Sequence, residues 1–104
     1  MNLYIAGPRD NEDRYHQEAH TLRAMGHVVH NLAEETIEDA RLPRCVEVLC
    51  WTTDAVVVLP QWYLSRFAVA EVALARALGL PVQYVSYDGD GTPTLQDVRH
   101  RVYV

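Results

Sequence analysis

The chain has 104 residues, 49% of them hydrophobic and 22% charged, and carries a net charge of −5. That length closes one hydrophobic core, residues 1–104 as a single domain, and is too short for two. With Arg scattered singly and no Lys, no basic stripe exists to neutralise a phosphate backbone, which excludes long nucleic acid as a partner. No stretch reaches the ~20 apolar residues that cross a bilayer, so no membrane partner is expected.

Leu3-Tyr4-Ile5-Ala6 is a short apolar run ended by Gly7-Pro8, the pattern of a central strand entering a tight turn. The N-terminus meets Gly, Pro and charges at once, unlike a signal peptide, and a cytoplasmic protein is expected. From Asp10 to Met25 apolar residues recur at Tyr15, Ala19, Leu22 and Met25, the spacing of an amphipathic helix with Gly26 as its stop. His27 to His30 reads as a second, shorter strand and Asn31 to Glu38 as a loop. Asp39 to Thr52 is a weaker helix, broken near Pro43, with Val46, Leu49 and Cys50 as its inward face. Cys45 and Cys50 match no usual zinc spacing and are expected as small buried residues.

Asp54 to Leu59 is a buried strand, Pro60 to Leu64 a loop, and Ser65 the N-cap of a helix running to about Leu78. Gly79-Leu80-Pro81 ends that helix and delivers the chain into the strand Val82 to Val85. Tyr87 to Thr94 reads as a surface turn, and the last ten residues as a helix or an edge strand. Apolar strands alternating with helices predict an α/β fold whose mostly parallel, four- or five-stranded sheet is covered on both faces. In such a sheet ligands bind at the carboxyl ends of the strands, where strand order reverses. That rule gathers Gly7 to Asp10, Pro60 to Ser65 and Ser86 to Asp88 around one crevice.

Glu71 is the anomaly of the chain. It lies in the apolar run Ala68-Val69-Ala70-Glu71-Val72-Ala73-Leu74-Ala75, where a charge has a desolvation cost. One reading is a catalytic carboxylate, the other a solvent-facing Glu paired with Arg66 or Arg76. Ser65 serves equally as a cap and as part of an anion site at the helix N-terminus. Gly7-Pro8 brings backbone to the crevice, with Arg9 and Asp10 at its mouth, and Tyr4 either packs in the core or stacks on a ligand. His16 and His20 lack the Glu of the zinc-protease motif and read as a solvated helix face, so neither a metal site nor a cofactor is expected.

The runs Leu3 to Pro8, Leu22 to Val29 and Asp54 to Trp62, together with Ser65-x5-Glu71 and Ala75-x3-Gly79-Leu80-Pro81-Val82, resemble the nucleoside 2-deoxyribosyltransferase-like superfamily. Its small bacterial and phage members and the 2'-deoxynucleoside 5'-phosphate N-hydrolases are the nearest likeness, over most of residues 3–85. The resemblance implies a flavodoxin-like three-layer sandwich and cleavage of the N-glycosidic bond of a (deoxy)nucleoside or its 5'-monophosphate, by hydrolysis or transfer. It implies Glu71 as nucleophile, Ser65 at the 5'-phosphate, and Tyr4, Gly7 and Pro8 lining the substrate pocket; Arg9, at the mouth of the crevice, is expected near the phosphate. Asp54 is placed among the substrate-binding residues on the same ground.

The resemblance also implies a homodimer in which a neighbouring subunit completes the pocket, with Trp51, Trp62, Tyr63 and Phe67 as apolar surface. Two positions depart from the pattern. Val46 stands where members carry an Asp that assists the chemistry, with Glu47 and Asp39 the nearby carboxylates, and Phe67 stands where they have Gly. The alternative to an enzyme is a non-catalytic nucleotide-binding or sensing module on the same fold.

Overall fold

The computed structural model describes residues 1–8, 12–30 and 47–98. Among them, strands β1 (Asn2–Ala6), β2 (Val28–His30), β3 (Ala55–Val58), β4 (Val82–Tyr87) and β5 (Pro93–Asp97) form one sheet in the order β2-β1-β3-β4-β5. The first four are mutually parallel and β5 runs antiparallel to β4. Helix α1 (Glu12–Ala24) follows β1, and helix α2 (Arg66–Ala77) joins β3 to β4. A shorter helical segment covers 47–51. This is the flavodoxin-like order, with β1 and β3 side by side at the point where the winding reverses.

Period-two alternation along β1 divides the core. Leu3 and Ile5 pack with Tyr15, Ala19 and Leu22 of α1, whereas Tyr4 and Ala6 pack with Ala68, Val72 and Ala75 of α2. Both helices terminate on a left-handed glycine, Gly26 at φ 95° and Gly79 at φ 76°. In each, a backbone N–H beyond the glycine reaches five residues back, His27 to Leu22 and Leu80 to Ala75, which satisfies carbonyls that the helix end would otherwise orphan.

Three expectations change. The stretch from Tyr87 to Thr94 belongs largely to a hairpin: the ladder runs as far as Tyr87 opposite Pro93, and the turn is closed by Asp88 N–H to the Thr92 carbonyl at 2.9 Å. The short helix buries Val48 and Leu49 and leaves Cys50 exposed, because two adjacent apolar residues define its inner side. Trp62 is core, 4% exposed, while Trp51 is 82% exposed, so only the latter offers surface to a partner. The expected loop from Asn31, the start of the helix at Asp39 with Pro43, Cys45 and Val46, and the last residues lie outside the described residues, as do Arg9 and Asp10.

Gly7 lies where β1 and β3 end together. Leu59 N–H donates to the Ala6 carbonyl at 2.8 Å, and a Cβ on Gly7 would lie 2.7 Å from Leu59 Cβ. The residue is glycine because the neighbouring strand leaves no room for a side chain. Gly7→Ala should therefore lower stability by about 1–3 kcal/mol, the usual cost of overpacking, read as a lower urea midpoint with the slope unchanged.

Candidate functional site

Ser65 initiates α2 as expected, its Oγ accepting from the Ala68 N–H at 3.3 Å. From that start, Ala68, Glu71, Val72 and Ala75 form the buried stripe of the helix. Glu71 is 5% exposed, so the solvent-facing reading falls: position 71 lies on the same helical face as 68, 72 and 75, and that face is the one against the sheet. Its carboxylate accepts a hydrogen bond from the hydroxyl of Tyr4, itself buried. A buried carboxylate without such a donor is strongly disfavoured, and the bond holds the Glu71 side chain against the Tyr4 ring.

The register sets a third group beside this pair. Tyr4 of β1 lies opposite His30 of β2, and Val29, the residue before His30, faces the α1 side. Alternation then turns His30 to the face that Tyr4 occupies. His30 Nε2 is buried without a hydrogen-bond partner among the described residues. Glu47, on the short helix, is exposed.

At the end of β1, the Tyr15 hydroxyl donates to the Gly7 carbonyl at 2.6 Å, so α1 holds the turn that carries Pro8. Asp54 does not join this group. Its N–H donates to the Asn2 carbonyl at 2.7 Å, and its Oδ2 accepts from the Asn2 N–H at 2.8 Å. Both contacts are at the amino end of the parallel strands, opposite to the crevice, and Asp54 acts there as a clamp between β1 and β3. Phe67 is half-buried and packs on the α2-side core, so its bulk goes into packing.

The loop after β3 is more ordered than the sequence indicates. Gln61 adopts φ 63°, a left-handed conformation unusual for a residue with a side chain, and the chain then winds through a 3-10 turn at Trp62–Leu64. Trp62 is thereby driven into the core with Tyr63 edge-on to it, centroids 6.2 Å apart.

A second buried carboxylate escaped the sequence reading. Glu18 on α1 is 6% exposed, and Arg14 Nε approaches its Oε2 to 3.9 Å. Burial pushes the Glu18 carboxyl above its ordinary range and Arg14 pulls it part of the way back. Both residues line a cleft of about 440 Å³ with the Pro60 to Tyr63 loop and β4. The signal was in the spacing: Tyr15, Glu18, Ala19 and Leu22 are the buried residues of α1, and 18 stands at the same helical angle as its apolar neighbours. Among the described residues no group of three or more His, Cys, Asp or Glu could hold a metal ion, and no helix is long and apolar enough to cross a membrane.

The family model described as a domain of unknown function, DUF4406, matches residues 1–84. The chain belongs to the DUF4406 family. No curated protein and no solved structure gives a significant match. The matched DUF4406 span takes in β1 through α2 and the start of β4, and with them Tyr4, Gly7, Glu18, Ser65 and Glu71; the rest of β4 and all of β5 lie beyond it.

Two stability tests follow from the buried carboxylates. Tyr4→Phe removes the buried hydroxyl that donates to Glu71 and should cost about 1–3 kcal/mol, measured by urea denaturation at neutral pH. For Glu18 the folded-state pKa is raised, so its ionisation opposes folding. That penalty is absent below the unfolded value near 4.5 and grows as pH rises through the folded one. Glu18→Gln should therefore raise the Tm more at pH 7 than at pH 4.

Proposed function

We propose that this DUF4406 chain cleaves the N-glycosidic bond of a small nucleoside or nucleoside 5'-monophosphate, with Glu71 as nucleophile. The observation that carries the reading is the buried Glu71 carboxylate held by the Tyr4 hydroxyl, on the helix that starts at Ser65 behind the switch point of the sheet. An oxocarbenium-like transition state is stabilised by a carboxylate at the anomeric carbon, and attack by Glu71 gives a glycosyl-enzyme that water or an acceptor base resolves. Tyr4 orients the nucleophile and tempers its charge. The N-terminal amides of α2 suit a 5'-phosphate.

Leaving-group departure needs an acid, and Val46 offers none. His30, opposite Tyr4 in the register and with a buried ring nitrogen, supplies that role in this reading. Tyr63 and the exposed Trp51 provide apolar surface for a homodimer in which the neighbouring subunit completes the pocket.

A second reading, a nucleotide-binding or sensing module without turnover, is favoured by Val46 at the position of the superfamily Asp. Incubation with a panel of nucleosides and 5'-monophosphates, with chromatography of released base, separates the two. The enzyme predicts base release that falls roughly 10³-fold in Glu71→Ala and is also reduced in His30→Gln. Thermal stabilisation by a nucleotide without release would establish the binding module.

A further inference from the structure

Strands β3 and β4 pair only at Val56 with Val82 and at Val57 with Gln83. Beyond that rung the ladder stops, and Val58 of β3 and Tyr84 and Val85 of β4 line the cleft of about 440 Å³. Such a volume suits a small organic molecule. Three aromatic residues border it, Trp62, Tyr63 and Tyr84. The planes of Trp62 and Tyr63 stand 82° apart with their centroids separated by 6.2 Å, so aromatic surface bounds the cleft in two directions. Ring faces carry the negative lobe of the aromatic quadrupole, and walls of this kind enclose organic cations.

Glu18 adds a buried carboxyl to the same cleft. Among the described residues its partner is Arg14, whose Nε lies 3.9 Å from Oε2, a pairing of charges at more than hydrogen-bond length. A carboxylate accepts up to about four hydrogen bonds, and one withdrawn from water is stabilised by each donor it finds. Glu18 therefore takes a further donor while Arg14 keeps the contact it makes.

Charge decides which ligand suits this combination. An anion meets the Glu18 carboxylate and a chain of net charge −5. A protonated amine brings N–H donors to Glu18 and positive charge to the rings. The Arg14 side chain is 43% exposed, so water screens its guanidinium from a second cation, whereas Glu18 and the rings act at contact.

We propose that the cleft between β3 and β4 binds a small primary amine in its protonated form, the ammonium hydrogen-bonded to Glu18 and set against the Trp62, Tyr63 and Tyr84 rings, with the organic remainder along Val58 and Val85. The inference does not rest on the Glu71 reaction, since such an amine has no glycosidic bond to cleave.

Benzylamine and benzyl alcohol share their ring and length and differ in charge. Isothermal titration of the full chain at neutral pH should give benzylamine binding at least about tenfold tighter than benzyl alcohol, the scale of one charge-assisted hydrogen bond. Benzyltrimethylammonium, which keeps the charge and has no N–H, should bind more weakly than benzylamine. Glu18→Gln, which is expected to stabilise the chain at this pH, should remove most of the gap between amine and alcohol. Tyr63→Leu, on a side chain 43% exposed, should narrow the same gap by taking away a ring while keeping apolar bulk. Equal affinities for amine and alcohol, no benzylamine binding at millimolar concentration, a quaternary ion bound as tightly as the primary one, or a gap undiminished in Glu18→Gln would overturn the assignment. Amine binding without any base release would sustain this site while removing the Glu71 reading, and base release without amine binding would do the opposite.

Discussion

The Tyr4–Glu71 hydrogen bond ties the central strand to the helix that covers it, and much of the molecule is arranged around that tie. Apolar contacts between a helix and a sheet tolerate sliding and repacking, because hydrophobic burial has no direction. A buried carboxylate does not, since a displacement that breaks its hydrogen bond gives up a directional contact with no water to replace it. Glu71 thereby assigns α2 one position on β1, and with it the place of Ser65 and the loop from Pro60. At the other face, Tyr15 reaches the Gly7 carbonyl and anchors α1 to the end of the same strand. Two tyrosine hydroxyls thus orient the two helices on β1.

The helices repeat one pattern with different outcomes. In α1 the buried positions are 15, 18, 19 and 22, and in α2 they are 68, 71, 72 and 75, with Glu second in each set. Glu71 meets a neutral hydroxyl donor inside the core, where the exchange of water for Tyr4 keeps it bound at a single geometry. Glu18 meets a guanidinium at longer range, on the wall of a cleft. Identical spacing on two faces of one sheet has produced two buried carboxylates with different partners, a hydroxyl from the central strand for Glu71 and a guanidinium from its own helix for Glu18.

Much of the fold could be read from the sequence because it rests on local chemistry. Strands β1 and β3 are uninterrupted apolar runs between turn residues, Ser65 is a cap, and Gly26 and Gly79 sit where their helices stop. The parallel sheet covered on both faces follows from those elements. What the sequence concealed depends on tertiary context: Trp62 looks like surface until Gln61 turns left-handed beneath it, and Asp54 looks like a ligand-binding carboxylate until strand direction puts it at the amino end. Glu71 was legible as an anomaly because its neighbours are all apolar. Glu18 was not, since His16, Gln17 and His20 around it are polar and only its angular position betrays it.

The pairing of β1 with β3 also governs how the chain reaches its structure. The clamp between Asn2 and Asp54 spans 52 positions, whereas β4 and β5 are joined by a tight turn. Closing a loop of that length costs about 3.5 kcal/mol of chain entropy before the contacts it enables can form. A hairpin forms on the microsecond scale, so β4 and β5 assemble early and locally. Of the pairings in this sheet, that of β1 with β3 therefore carries a far larger closure cost than the hairpin at its edge.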